Sequence, residues 1–400
     1  MIKIKISKTL QSKIRNGFPW VFNYQVLNGG LTGSPGDLGV IYDSKNKFLA
    51  LGIFDPFSEL CFRVLTTGAP KTIDRAFFNE RLQKALEIRR PLEAEGTTGY
   101  RIINGENDGF PGLILDRYRD SAVVKIYSAA WVPYLEILSS LFEKELPVQR
   151  CILRMSRNAK KDITAMGNFR DGCLLFGAEL KSPVLFEENG LIFEADIIQG
   201  QKTGFFLDQR ENRLQVKALS RGKRVLNVFS YSGAFSAYAF AGGAKSVTEI
   251  DSNPHALKDS KKNLQKNFPD MPLSPPIFEQ LPGDGFEQLA ALHEKNKQFD
   301  LVILDPPAFA RNKSQTPGAL MAYRRLAKAG AQLTANGQIL MAASCSAHIS
   351  TDEFYQSIFS GVSSAGKAYE EILRTQHASD HPVTFKEGAY LKAIYASILA

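Results

Sequence analysis

The chain has 400 residues, 44% of them hydrophobic and 22% charged, with a formal net charge of +8. That length exceeds one ordinary hydrophobic core and suggests two or three units, and the composition is globular rather than disordered or fibrous. No apolar run is long enough to span a bilayer, and four cysteines without C-x-x-C spacing beside five scattered histidines give neither a zinc site nor a disulfide framework. A cytoplasmic protein with reduced thiols, no metal and no membrane partner is expected.

In chain order, residues 1–72 read as a small β-rich unit. Ile2 to Ile6 alternates with lysine, Phe18 to Phe22 is an aromatic stretch opening a second strand, and Leu38 to Tyr42, Phe48 to Phe54 and Leu60 to Leu65 supply three more. Residues 73–185 alternate helix and strand patterns, as a central α+β unit does. A helix is expected from Ile73 to Arg90, stopped by Pro91, and Asn107-Asp108-Gly109 is a turn between strand-like runs. Positive charge collects where acids are missing. Lys8, Lys13 and Arg15 precede the first acid, Asp37, and Arg311, Lys313, Arg324 and Arg325 fall between Asp305 and Asp352. Both stretches suit phosphate contacts with RNA; a solvated cationic surface is the plainer alternative.

Residues 186–400 carry an α/β pattern. Val225 to Phe229 reads as a buried strand, Ser230 to Gly233 as a turn, Ala234 to Ala241 as a helix, and Ser246 to Ile250 as a second strand ending on Asp251, eighteen residues past Gly233. A carboxylate so placed can accept hydrogen bonds from both ribose hydroxyls of a nucleotide-like ligand. The G-x-G-x-x-G cradle of a dinucleotide is absent, which favours an adenosine ligand without phosphates, most commonly S-adenosylmethionine (SAM). Asp284, after a third strand, suits an adenine amino group or a helix cap equally well.

Phe299 to Phe309 reads FDLVILDPPAF, and the next strand, Gly337 to Ala343, runs into Ser344-Cys345-Ser346. A carboxylate and a thiol therefore end two strands expected to be neighbours, at the edge where open α/β sheets bind ligands. Adding a thiolate to carbon 6 of a pyrimidine makes carbon 5 nucleophilic toward a sulfonium methyl group. Cys345 is the candidate nucleophile, and Asp305 would hold N3 or the amino group of cytosine. A free cysteine is otherwise usually packed as a small hydrophobe.

Over nearly all its length the chain resembles the bacterial 23S ribosomal RNA cytosine-5 methyltransferases with an N-terminal PUA domain. The motifs that carry this are K-x-R-N-G-F-P-W-V-F, Y-R-I-I-N-G-E-N-D-G-F-P-G, G-Q-K-T-G-F-F-L-D-Q-R-E-N-R, N-V-F-S-Y-S-G-A-F, D-P-P-A-F, S-C-S and D-H-P-V. The resemblance implies a PUA-like RNA-binding β-barrel over 1–72, a central α+β domain over 73–185 and a Rossmann-like SAM-dependent methyltransferase domain over 186–400. It also implies a SAM pocket lined by Phe206, Asp208, Gln209, Arg210, Tyr231, Gly233, Asp251, Asp284 and Asp305, with Cys345 as the catalytic thiol and large-subunit ribosomal RNA as partner. A homodimer is left open. The family often has lysine where this chain has Ala308, and a longer segment in place of Cys151 to Ser182; both bear on the RNA target. Two other functions compete: methylation of an RNA base nitrogen without a thiol, and a ribosome-assembly factor that transfers nothing.

Overall fold

The alternating isoleucines at the start of the chain form the strand Ile2–Ile4, which runs parallel to Leu38–Tyr42. The computed structural model describes residues 1–167, 169–180, 183–310 and 312–400, and these divide into two units. The first comprises Met1–Gly190, Ala195–Leu207 and Ser379–Gly388; the second comprises Leu191–Glu194, Asp208–Ala378 and Ala389–Ala400. Among the described residues no helix is long and apolar enough to cross a membrane.

The first unit holds two five-stranded sheets. In one, the order is Ile2–Ile4, Leu38–Tyr42, Phe48–Phe54, Phe62–Thr67, Trp20–Val21. The chain beyond its two edge strands is joined by an Ile6 to Val26 bridge and by the Leu27 amide donating to the Lys5 carbonyl at 2.8 Å, which curls the sheet on itself. The strand pattern alone misses a helix here, Lys8–Arg15, capped by Ser7 and burying Leu10 and Ile14. Two apolar residues among lysines are a thin stripe, easily read as polar loop.

The other sheet has the order Leu174–Gly177, Arg150–Met155, Ser121–Ile126, Leu113–Tyr118, Gly99–Asn104. Helices Arg75–Ala94 and Leu135–Glu145 supply Phe78, Leu82, Leu138 and Phe142 to its core. Pro91 does not stop the first of these helices, which continues to Ala94. Pro91 is exposed, so the Glu87 carbonyl that loses its helical donor can be hydrated instead.

Beneath this sheet lies a buried ionic network. Arg101 donates to both oxygens of Asp116 at 2.7 and 3.0 Å, Thr203 donates to Asp116 at 2.5 Å, and Arg89 grips Asp108 at 2.8 and 2.7 Å. Asp380 accepts from the Arg101 amide at 2.8 Å, and its own carbonyl accepts from Arg89 at 2.8 Å. Three sequence motifs far apart in the chain, around Arg101, Thr203 and Asp380, thus meet as scaffold.

In the second unit the helices are α1 (Arg210–Leu219), α2 (Ala234–Ala241), α3 (Pro254–Asn267), α4 (Gly285–Glu294), α5 (Thr316–Leu333) and α6 (Thr351–Ser364). The strands are β1 (Arg224–Val228), β2 (Ser246–Asp251), β3 (Phe278–Pro282), β4 (Phe299–Leu304), β5 (Thr334–Ser344), β6 (Ala368–Thr375) and β7 (Lys392–Leu399). They form one sheet in the order β3-β2-β1-β4-β5-β7-β6, parallel from β3 to β5, with β7 antiparallel to both of its neighbours. The order reverses between β1 and β4, the switch point at which such sheets bind ligands beyond their carboxyl ends.

Candidate active site

Every parallel strand of this sheet delivers a candidate residue to the same edge. The turn after β1 carries Tyr231 and Gly233, β2 ends on Asp251, Asp284 follows β3, Asp305 follows β4 and Cys345 follows β5. Strands β4 and β5 are hydrogen-bonded neighbours, with Leu304 opposite Ala342, so the carboxylate and the thiol do terminate adjacent strands.

The turn after β1 has a strained backbone. Phe229 (φ 63°), Tyr231 (φ 48°) and Gly233 (φ 73°) all adopt left-handed conformations, which cost roughly 1–3 kcal/mol for a non-glycine residue and cluster at binding sites. A Cβ on Gly233 would lie 1.9 Å from the Ser260 hydroxyl and 2.9 Å from a Glu249 oxygen, so only glycine fits. Glu249 is fully buried beneath the turn, where Ser260 donates to it at 2.7 and 2.8 Å; burial raises its carboxyl pKa. Asp251 accepts from the Tyr231 amide at 2.8 Å and, through its other oxygen, from the Asn253 amide at 2.8 Å. Each oxygen keeps a further lone pair for a ligand.

Asp284 caps α4, one oxygen accepting from the Phe286 and Glu287 amides at 2.9 and 3.2 Å. Gln209 donates to Asp305 at 2.9 Å and is itself held by buried Asn212, which donates to it at 2.5 Å. Asn212 is fixed in turn by Thr375 and Tyr395. Asp208 is buried and accepts from the Tyr390 hydroxyl at 2.9 Å, while Arg210, also buried, pairs with Glu211 at 3.4 Å. Phe206 belongs to the first unit, where Lys202 lies over its ring at 4.5 Å.

Around the thiol, Tyr323 of α5 donates to the Ser344 hydroxyl at 2.9 Å, and Ser346 donates to the Ala310 carbonyl at 3.1 Å. Burial raises the Tyr323 pKa, and the charges of Cys345 and Asp305 push it further the same way, so all three groups share one neighbourhood. Cys345 itself is half-buried, whereas Cys61 and Cys151 are fully buried.

Of the residues expected to contact RNA, Lys8, Lys13, Lys313, Arg324 and Arg325 are exposed. Arg15 is exposed but pairs with Asp43 at 2.8 Å, Arg324 donates to Ser364 at 2.9 Å, and Arg325 lies 5.1 Å from the Phe286 ring centre. Arg311 lies outside the described residues.

Comparison with known proteins gives the family. Residues 171–368 match a family of S-adenosylmethionine-dependent methyltransferases, and residues 4–67 match a PUA-like domain. A ribosomal RNA large subunit methyltransferase of Deinococcus radiodurans is 45% identical, the alignment covering 98% of this chain and 97% of the relative. A ribosomal RNA large subunit methyltransferase I of Pseudoalteromonas translucida is 34% identical, with 96% of each chain covered. The chain belongs to the ribosomal RNA large subunit methyltransferase family. A Streptococcus mutans structure described as a SAM-dependent methyltransferase shares the fold, with a TM-score of 0.84, 22% identity and coverage of 99% of this chain and 100% of that one.

The cofactor of this methyltransferase is SAM. The edge of the sheet fits it: a carboxylate at the tip of β2, a strained turn closed to any side chain at Gly233, and no glycine-rich diphosphate cradle. Sequence reading overlooked three residues at this edge, Asn212, Tyr323 and Lys392. Tyr323 lies within a helix and left no signal, and Asn212 stood inside the motif G-Q-K-T-G-F-F-L-D-Q-R-E-N-R without being assigned a role. Lys392 opens the apolar strand KAIYASIL, and a lone cation there was the available clue.

Proposed function

We propose that this chain methylates carbon 5 of a cytosine in large-subunit ribosomal RNA, in the cytoplasm, through a covalent adduct on Cys345. Residues 1–72 and 73–185 would hold the RNA, and residues 186–400 would perform the transfer. The observation that carries the reading is that Asp305 and Cys345 follow the neighbouring parallel strands β4 and β5 at the ligand edge. The names of the relatives support the ribosomal substrate.

Tyr231, Gly233 and Asp251 would hold SAM, Asp284 offering its second oxygen to the adenine. Bound SAM supplies an electrophilic methyl group on a positively charged sulfur. Cys345 adds as a thiolate to carbon 6, and the displaced π electrons make carbon 5 nucleophilic. Asp305, oriented by Gln209, hydrogen-bonds the base and steadies the adduct. Carbon 5 takes the methyl group as the S–CH3 bond of the donor breaks, which would leave neutral S-adenosylhomocysteine; loss of the carbon 5 proton to water or a base then expels the thiolate and restores the ring double bond.

RNA containing 5-fluorocytidine tests this. Fluorine cannot leave as a proton does, so the wild-type protein with SAM should form an adduct that survives denaturing electrophoresis, and Cys345→Ala should form none. Methyl transfer to RNA retained by Cys345→Ala would overturn the thiol route in favour of a base nitrogen.

A further inference from the structure

Lys392 is 2% exposed, and it opens β7 directly opposite Ser344, the residue before Cys345. Its ammonium donates to the carbonyls of Ser346 at 2.6 Å, Ile349 at 2.5 Å and Tyr390 at 3.3 Å. Its backbone thus pairs with the strand just before Cys345, while its ammonium holds the turn just after it. Three carbonyl acceptors use all three N–H bonds of a charged lysine; a neutral amine would direct its lone pair at one of those oxygens. A buried cation whose hydrogen-bond partners are all neutral keeps its charge available to a nearby anion.

We propose that Lys392 is the positioning residue of the nucleophile: it ties down the 345–349 turn and sets a positive charge behind Cys345, so that the thiol gives its proton to solvent and persists as a thiolate. This rests on the reading of Cys345 as the attacking group. Burial pulls the Lys392 pKa down, and the charges of Cys345 and, from α6, Glu353 offset only part of that, leaving it at about 8. Other titratable groups here are His348 within the turn itself, Tyr390 two residues before Lys392, Asp352 and Tyr355 of α6, the Tyr355 hydroxyl donating to the Ala393 carbonyl at 3.3 Å, and, on the Cys345 side, Tyr323 of α5 and Asp305 after β4.

The test is the ionisation of Cys345 in the full-length protein without RNA. Iodoacetamide labelling of Cys345, followed by peptide mass spectrometry against pH, should have its midpoint at least one unit lower in wild type than in Lys392→Met. One unit is about a tenfold faster reaction near pH 7. Lys392→Arg, which keeps charge and donors, should restore most of the difference. Superimposable profiles for wild type and Lys392→Met would overturn the proposal and leave Lys392 a structural anchor. Should Lys392→Met not fold, thiolate absorbance of wild type minus Cys345→Ala decides: a midpoint below 7.5 supports the proposal, and the ordinary thiol value of about 8.5 overturns it. A lowered midpoint without 5-fluorocytidine trapping would sink the covalent mechanism but not the pairing. Trapping with an unmoved midpoint in Lys392→Met would sink the pairing alone.

Discussion

Arg101 and Lys392 are both buried cations, and their surroundings differ in kind. Arg101 meets Asp116 through two hydrogen bonds, and Asp116 is completed by Thr203, so the charge is cancelled where it stands. Lys392 meets three carbonyls and no carboxylate, so its charge is solvated by dipoles but not neutralised. A neutralised pair inside a protein builds scaffold; a charge held by dipoles can act on something else. The motifs that identify the family divide along the same line. Those around Arg101, Thr203 and Asp380 hold the first unit together, and those around Gly233, Asp305 and Cys345 form the ligand edge of the second.

The largest expected effect breaks the scaffold side. Asp116→Ala leaves Arg101 buried without its carboxylate, which should cost about 3–5 kcal/mol in urea denaturation of the full chain. Cys345→Ala, by contrast, should change stability by less than about 1 kcal/mol. If Asp116→Ala proved as stable as wild type, the cancelled pair would not be the scaffold described here.

On the ligand side, Gly233→Ala would force a Cβ to within 1.9 Å of Ser260 at a left-handed backbone position. The strain should amount to about 1–3 kcal/mol, seen as a roughly 5- to 150-fold loss of affinity for S-adenosylhomocysteine by calorimetry. Unchanged affinity would remove this turn from the cofactor site.

The parts of this comparison legible in the sequence were those with short-range grammar. Strands β1, β2, β4 and β5 announced themselves by apolar runs, and Gly233, Asp251, Asp305 and Cys345 by their places at the ends of those runs, whereas β6, mostly exposed, and β7 went unread. What could not be read was long-range. Nothing local says that Asp380 bonds to the Arg101 amide or that Thr375 and Tyr395 brace Asn212, because these contacts span far-separated stretches of chain. Pro91 misled because its cost to a helix is smaller where, as on this exposed face, the orphaned carbonyl can be hydrated.

An alkaline limb sharpens the contrast between the two cations. Lys392 works as an ammonium, the form present below its pKa of about 8 and lost above it. Single-turnover methyl transfer should rise with pH as the thiol ionises and then fall with a midpoint near 8. Arg101 has no such limb, because a guanidinium stays protonated throughout this range. Lys392→Arg should therefore abolish the fall while keeping most of the rate at pH 7; a limb that persists in Lys392→Arg would assign it to another group.

The smallest effect lies at the opposite end of the same strands. At the amino ends of β1 and β4, Arg224 donates to Asp300 at 3.0 and 2.9 Å, and the Arg224 amide adds a third bond at 2.9 Å. The guanidinium is the main reason the Asp300 pKa falls below its ordinary value. A carboxylate with a depressed folded-state pKa stabilises the fold above its unfolded pKa of about 4 and loses that contribution as pH drops through the lower, folded value. The pair is partly exposed, so Asp300→Asn should cost only about 0.5–1 kcal/mol at pH 7, and the difference from wild type should shrink below pH 4. Methyl transfer should be untouched, because Asp300 lies at the end of β4 opposite to Asp305 and Cys345. A loss of activity in Asp300→Asn without a matching loss of stability would show that the two ends of β4 are coupled and that the separation of scaffold from chemistry fails within a single strand.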